Sequence, residues 1–270
     1  MVNSRFAADI EECLNALIAF MIEWKTPPLK PSLEDGQVHI WKIRLNFQTD
    51  CLNTQYTLST DEQNRAEKLI SPEKRYRFIS ARAALRKILS IYTEQSPEKI
   101  QIKYFINGKP YLPHIYSSPG LEFNISHSKD LMIAGFTTTG AVGVDLEYDQ
   151  FIGSKHQILN NYFSENDQTA YIDLGEEQKN SAFISAWTRK EAFGKATGSG
   201  LTSPDQLDHL QPGDNQLLPI NHAEMVQQKP FWSLLFKPDM DYTAALAIIS
   251  RKKPECVFWE TSVNELIYPG

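Results

Sequence analysis

Apolar residues recur at helical spacing through Ile10, Leu14, Leu17 and Met21 in FAADIEECLNALIAFMIEW (6–24), which predicts an N-terminal helix ended by the proline-rich TPPLKPS. A strand follows at VHIWKIRLN (38–46). A polar stretch of helical period then runs from about Asp61 to Tyr92, with a break at Ser71-Pro72, because a residue preceding proline is driven out of the helical region. KIQIKYFINGKPYL reads as a strand and a turn at Asn107-Gly108. LEFNISHS and LMIAGFTTT read as two antiparallel neighbours.

The rest of the chain repeats this order. AVGVDLEY is a strand, a helix covers about Glu176 to Thr197, FWSLLFKP and YTAALAIIS are paired strands, and CVFWE is a last strand. Two successive units of strand, long helix and paired strands predict an α+β protein built from two similar halves. The expected division is an N-terminal helix and linker (1–30), a first half (31–139) and a second half (140–270), cut near Thr139-Gly140. The polar segment from Ser203 to Pro230, with prolines and glycine, reads as an irregular excursion from the second half.

Composition narrows the function classes. The 270 residues suffice for a sizeable core, and 41% hydrophobic with 22% charged residues is ordinary for a globular chain. A net charge of -6, from 33 acidic against 27 basic residues, supplies no overall drive toward nucleic acid or an anionic membrane. Cys13, Cys51 and Cys256 are far apart and form no C-x-x-C pair, so they are expected as reduced thiols in a cytoplasmic protein. No stretch resembles a membrane span or a secretory leader.

Four short stretches carry candidate chemistry. In GVDLEYD, strand alternation puts Val144, Leu146 and Tyr148 on one face and Asp145 with Glu147 on the other, so two like charges share a face and call for a cation. Without one, the pair is a solvated acidic strand face. In WTRKEAFGKATGSGL, Trp187, Glu191 and Lys195 are spaced by four and line one helical face; the bland account is a Glu-Lys surface pair beside a core tryptophan. FNISHS sets Asn124, Ser126 and Ser128 on one strand face and His127 on the other, where adjacency rules out a Ser-His hydrolase pair. In SPEKRYRFISARAALRK, Phe78, Ala81, Leu85 and Ile88 form a buried stripe, and Arg75, Arg82 and Arg86 line up beside it, either as a solvated face or as a grip for phosphate.

Taken in order, SPEKR with the Arg82 helix, NGKP, FNISHS, GVDLE and WTRKEAFGK ending in GSGL resemble the 4'-phosphopantetheinyl transferases of the two-domain, surfactin-synthetase-activating type, in their W/KEA branch. The matching stretches extend from about residue 71 to 201. The resemblance implies two pseudo-twofold α+β halves with the active site in the cleft between them. It implies coenzyme A as substrate, with the 4'-phosphopantetheine passing to a serine of an apo acyl, peptidyl or aryl carrier and leaving adenosine 3',5'-bisphosphate.

Position by position, Asp145, Glu147 and Glu191 resemble the carboxylates that hold Mg2+, a hard cation that bridges carboxylates to phosphate. Glu191, or a water on the metal, is implied as the base for the carrier serine, and Lys195 as the lysine that meets the pyrophosphate and assists the leaving group. Lys190, Ser126, His127 and Lys109 match coenzyme A contacts, and Lys74 and Arg82 match the residues gripping its 3'-phosphoadenosine end.

The interval from Lys74 to Arg82 is shorter than the family pattern, so Lys74, Arg75 and Arg77 compete for one role. The N-terminal helix lies outside the family core. Two fused halves supply a complete cleft within a monomer, the expected state. The pathway served, whether fatty acid, polyketide, glycolipid or nonribosomal peptide, is not encoded in these motifs. Two other readings compete: a metal-dependent nuclease built on the same acids and lysine, disfavoured by the net charge, and a non-catalytic carrier-binding protein.

Overall fold

The computed structural model describes residues 22–45, 54, 56–113, 120–150, 154–200, 218–220 and 231–268. The helix expected over 6–24 falls almost wholly outside them. Its described end, 22–24, is not helical: Lys25 bridges to Trp259, while Ile22 and Trp24 pack on the core. Of the excursion expected over 203–230, only 218–220 is described, and it is a strand.

The first sheet is formed by β1 (Gln37–Arg44), β4 (Glu122–Ser128), β5 (Leu131–Thr137) and β10 (Glu255–Ser262), in the order β10-β1-β5-β4. The second contains β6 (Val142–Tyr148), β7 (Leu218–Ile220), β8 (Phe231–Asp239) and β9 (Tyr242–Ile249), in the order β6-β9-β8-β7. A two-stranded hairpin, β2 (Lys103–Tyr104) with β3 (Pro110–Tyr111), turns at Asn107-Gly108, where Gly108 takes the positive φ of 83° that a side chain resists. The fold is α+β, as the element order implied.

The expected break at Ser71-Pro72 separates α1 (Thr60–Glu67) from α2 (Pro72–Thr93). Ser71 is the N-cap, accepting from the Lys74 backbone N–H, and Pro72 sits in the first turn, where its missing N–H costs nothing. Two helices were not anticipated, α3 (Lys155–Tyr162) and α4 (Glu165–Ile172); both are polar and only 8 residues long. The long α5 (Glu176–Thr197) ends at Gly198, which adopts the left-handed cap conformation, and α6 (Val263–Ile267) closes the described chain.

The two sheets pack face to face. Val38, Ile40, Leu131 and Ile133 from the first meet Val142, Val144, Leu146, Leu234, Phe236 and Leu246 from the second. On the outer face of the first sheet, α2 buries Ala81, Leu85 and Ile88 against Trp41, Phe123 and Phe136; on the outer face of the second, α5 buries Ala192 and Ala196 against Leu235, Ala245 and Ala247. The order is helix, sheet, sheet, helix.

The cut near Thr139 falls between the sheets, but β10 crosses it. Assigned from sequence order to the second half, β10 instead pairs in parallel with β1 over the full length of both, Gln37 opposite Glu255 through Arg44 opposite Ser262. Parallel pairing lacks the hairpin signal that marks sequence neighbours, so this partner is invisible in the pattern.

Candidate active site

The sheets meet edge to edge where β4 runs beside β6, and side chains replace the missing backbone ladder. Asn124 Oδ1 accepts from the Val144 N–H at 3.0 Å, and Ser128 Oγ accepts from the Tyr148 N–H at 3.2 Å. Between them, Ser126 Oγ donates to Asp145 Oδ1 at 3.0 Å. The polar face of FNISHS is thus a seam in which Asn124 and Ser128 satisfy β6 donors otherwise orphaned at a sheet edge.

Helix α5 lies directly on β6 because Gly143 has no side chain. A Cβ there would overlap the Ala192 carbonyl oxygen and the Ala196 nitrogen, and would stand 3.0 Å from Ala196 Cα. Gly194, an expensive residue in a helix interior, admits the returning chain instead: a Cβ would lie 2.7 Å from the Gly200 carbonyl oxygen. This close approach aligns the stripe Trp187, Glu191, Lys195 with the acidic face of β6.

Lys195 Nζ donates to Asp145 Oδ1 at 2.6 Å and to Ser126 Oγ at 3.2 Å. Trp187 Nε1 donates to Glu147 Oε1 at 3.1 Å. Asp145 is buried, and its second oxygen, Oδ2, has no hydrogen-bond partner among the described residues. Burial and then the neighbouring Asp145 push the Glu147 carboxyl up to about 7, and the same two causes raise Glu191. Three carboxylates therefore share one neighbourhood with Lys195, leaving an excess of negative charge. Among the described residues, however, no group of three or more His, Cys, Asp or Glu side chains is arranged to hold a metal ion. The orphaned Oδ2, the mutual repulsion and the all-oxygen donor set nevertheless suit a hard divalent cation.

Outside this cluster, a cavity of about 320 Å³ opens between α2 and the end of β4, lined by Leu69, Lys74, Arg77, Phe78, His127 and Lys129. His127 reaches solvent at its rim, yet loss of hydration and the charges of Arg82, Lys195 and Arg77 hold its proton affinity down. Nearby, the Arg82 guanidinium lies over the rings of Phe78 and Tyr104, at 5.6 and 5.7 Å, with Nη1 buried and without a hydrogen-bond partner among the described residues.

The cationic row inferred from helix spacing is dismantled. Arg86 is buried in a pair with Glu62 at 2.5 Å and donates to the Pro97 and Ile100 carbonyls at 2.7 and 2.9 Å. Arg75 donates to the Leu69 and Glu67 carbonyls that end α1, at 2.9 and 3.3 Å. Arg77 is paired with Glu73 at 2.7 Å and Asp130 at 3.0 Å. Lys74 Nζ has no such partner among the described residues. Lys109 braces the hairpin, its ammonium donating to the Val142 and Ala196 carbonyls at 3.2 Å each, with burial lowering its proton affinity. Lys190 is buried, 5.9 Å over the Phe163 ring.

Sequence comparison decides among the readings. A family model for the 4'-phosphopantetheinyl transferase superfamily matches residues 141–247, and one for the 4'-phosphopantetheinyl transferase N-terminal region matches 46–138. The chain is 34% identical to the 4'-phosphopantetheinyl transferase HetI of Nostoc sp., over 83% of this chain and 93% of that protein. It belongs to the 4'-phosphopantetheinyl transferase family.

A putative 4'-phosphopantetheinyl transferase of Synechocystis sp. is 31% identical over 65% of this chain and 68% of its own. The Bacillus subtilis 4'-phosphopantetheinyl transferase ffp is 32% identical over 54% of this chain and 68% of its own. The holo-[acyl-carrier-protein] synthase of Thermotoga maritima overlaps 42% of this chain and 65% of its own at 15% identity and a TM-score of 0.26, too slight a likeness to use. The chain is thus a transferase, and the nuclease and non-catalytic readings fall away. Among its described residues, no helix is long and apolar enough to cross a membrane.

Proposed function

We propose that this transferase moves 4'-phosphopantetheine from coenzyme A to a serine of an apo acyl, peptidyl or aryl carrier, with Mg2+ at Asp145, Glu147 and Glu191. The observation that carries the reading is the buried, unpartnered Asp145 Oδ2 beside two carboxylates of raised proton affinity. Bound there, Mg2+ would supply charge neutralisation for the coenzyme A pyrophosphate.

The serine oxygen forms a bond to the β-phosphorus as the bond from that phosphorus to the bridging oxygen breaks, releasing adenosine 3',5'-bisphosphate. Glu191 is the proposed acceptor of the serine proton. Lys195, whose ammonium lies between Asp145 and Ser126, faces the leaving phosphate and stabilises its growing charge.

The basic cavity receives the 3'-phosphoadenosine end. Lys74, unlike Arg75 and Arg77, has its ammonium unengaged among the described residues, and Arg82 offers its buried Nη1. His127 contributes its ring face and a ring N–H. Ser126 contributes its hydroxyl, and Lys109, with two N–H groups given to carbonyls, keeps a third for the ligand. Lys190 acts from beneath as a nearby positive charge that favours ionised Glu191. The protein works in the cytoplasm as a monomer, both halves of the cleft being on one chain.

Purified protein, Mg2+ and coenzyme A incubated with a panel of apo-carriers should add one phosphopantetheine mass to a carrier serine, and Glu191→Gln should lower turnover about 10²–10³-fold. No mass gain on any carrier would overturn the substrate assignment, and unchanged turnover in Glu191→Gln would remove it as base.

A further inference from the structure

Helix α5 presents three polar groups along one stripe to β6: the Lys195 ammonium to Asp145, the Glu191 carboxylate beside both acids, and the Trp187 indole to Glu147. The third has no assigned role. We propose that Trp187 is a positioning residue whose indole N–H holds Glu147 in the orientation that binds the divalent cation. The proposal rests on the reading above, in which Glu147 is a ligand of that cation.

The bond takes one oxygen of the carboxylate. Trp187 Nε1 stands 3.1 Å from Glu147 Oε1, which leaves Oε2 to face a cation. Without that donor, Glu147 is repelled by Asp145 and Glu191 and would swing toward solvent, since its side chain has three rotatable bonds and is only half-buried. An indole has a single polar hydrogen, so its direction is the direction of the ring.

That ring is clamped. Trp187 is 9% exposed, lies parallel to Phe183 at 6.4 Å and 5°, and takes the edge of Tyr162 at 6.2 Å and 67°. The clamp belongs to an apolar cluster that includes Leu159 of α3, Phe163 at its C-terminal cap and Tyr171 of α4. The two helices absent from the sequence reading thereby gain a purpose: they close the pocket that aims the indole. A tryptophan serving packing alone would donate to any acceptor in reach; this one donates to an ionisable group on the face proposed to carry the cation.

The test is a Mn2+ titration of the full chain with saturating coenzyme A, following the free-ion paramagnetic resonance signal, on wild type, Trp187→Phe and Asp145→Ala. Trp187→Phe keeps the aromatic packing and removes the N–H, and is expected to weaken Mn2+ binding about 10–100-fold, as loss of a group that orients a metal ligand does. A thermal melt accompanies it, because a packing role alone would lower the melting temperature and leave Mn2+ affinity unchanged; that outcome overturns the proposal. Wild type that binds no Mn2+, or binds it no better than Asp145→Ala, overturns the cation site itself. Weakening in Asp145→Ala but not in Trp187→Phe overturns only the role of Trp187.

A readout independent of any variant's folding is the spectrum of wild type labelled with 15N in its 5 tryptophans. One indole N–H signal is expected to shift as Mg2+ is added with coenzyme A present. A spectrum in which none moves overturns the proposal.

Discussion

Gly143→Ala tests whether the site depends on helix α5 touching β6. The mildest of three clashes for the new methyl is 3.0 Å to Ala196 Cα, against an ordinary carbon–carbon contact of about 3.5–4.0 Å. Relieving it alone opens the gap by about 0.5–1 Å, and the closer overlaps with the Ala192 oxygen and Ala196 nitrogen demand about 1 Å or more. A retreat of about 1 Å takes the 2.6 Å contact of Lys195 with Asp145 and the 3.1 Å contact of Trp187 with Glu147 out of hydrogen-bonding range. Displacement on that scale costs about 10²-fold in turnover. Overpacking adds a stability loss of about 1–3 kcal/mol, equivalent to about 2–12 °C in melting temperature. Holo-carrier formation followed by mass spectrometry, with a thermal melt on the same sample, reads both effects. Turnover within about threefold of wild type would refute the claim that this approach sets the site.

The remaining predictions concern single side chains. Arg82→Gln removes the buried guanidinium donor and is expected to raise the KM for coenzyme A about 10–100-fold, consistent with charge-assisted hydrogen bonds of about 1.5–3 kcal/mol, with a smaller effect for coenzyme A lacking its 3'-phosphate; equal losses for both would detach Arg82 from that phosphate. Arg86→Leu leaves Glu62 buried and unpaired and is expected to cost about 3–5 kcal/mol in denaturant unfolding, whereas a change under about 1 kcal/mol would mean that the pair is solvated. His39 is buried against Tyr92, and its desolvation, opposed by Glu255 and Glu34, lowers it from 6.5 to about 4. Above pH 6.5 both folded and unfolded chains carry neutral His39; as pH falls toward 4 only the unfolded chain takes up the proton, so stability drops by up to about 3 kcal/mol across that window. The His39→Gln protein should lack that share of the acid loss, and identical pH profiles would refute it.

Strand alternation in GVDLEYD and the four-residue spacing of Trp187, Glu191 and Lys195 depend only on local geometry, so the sequence by itself determined which faces the acids and the helix stripe present. The break at Ser71-Pro72 and the turn at Asn107-Gly108 were legible for the same reason: proline and glycine act on their own backbone. Arg86 was misplaced because spacing gives a direction around a helix but not what stands there; Glu62 and two carbonyls stand there, and the side chain is buried. The polar face of FNISHS was visible, but its use in stitching β4 to β6 needs a neighbour that no pattern names. Parallel pairing of β10 with β1, the closure of α3 and α4 around Trp187, and the meeting of Lys195 with Asp145 across 50 residues were decided only by tertiary structure. These contacts form when distant surfaces are buried together, and a residue's period along the chain carries no information about what approaches it from afar.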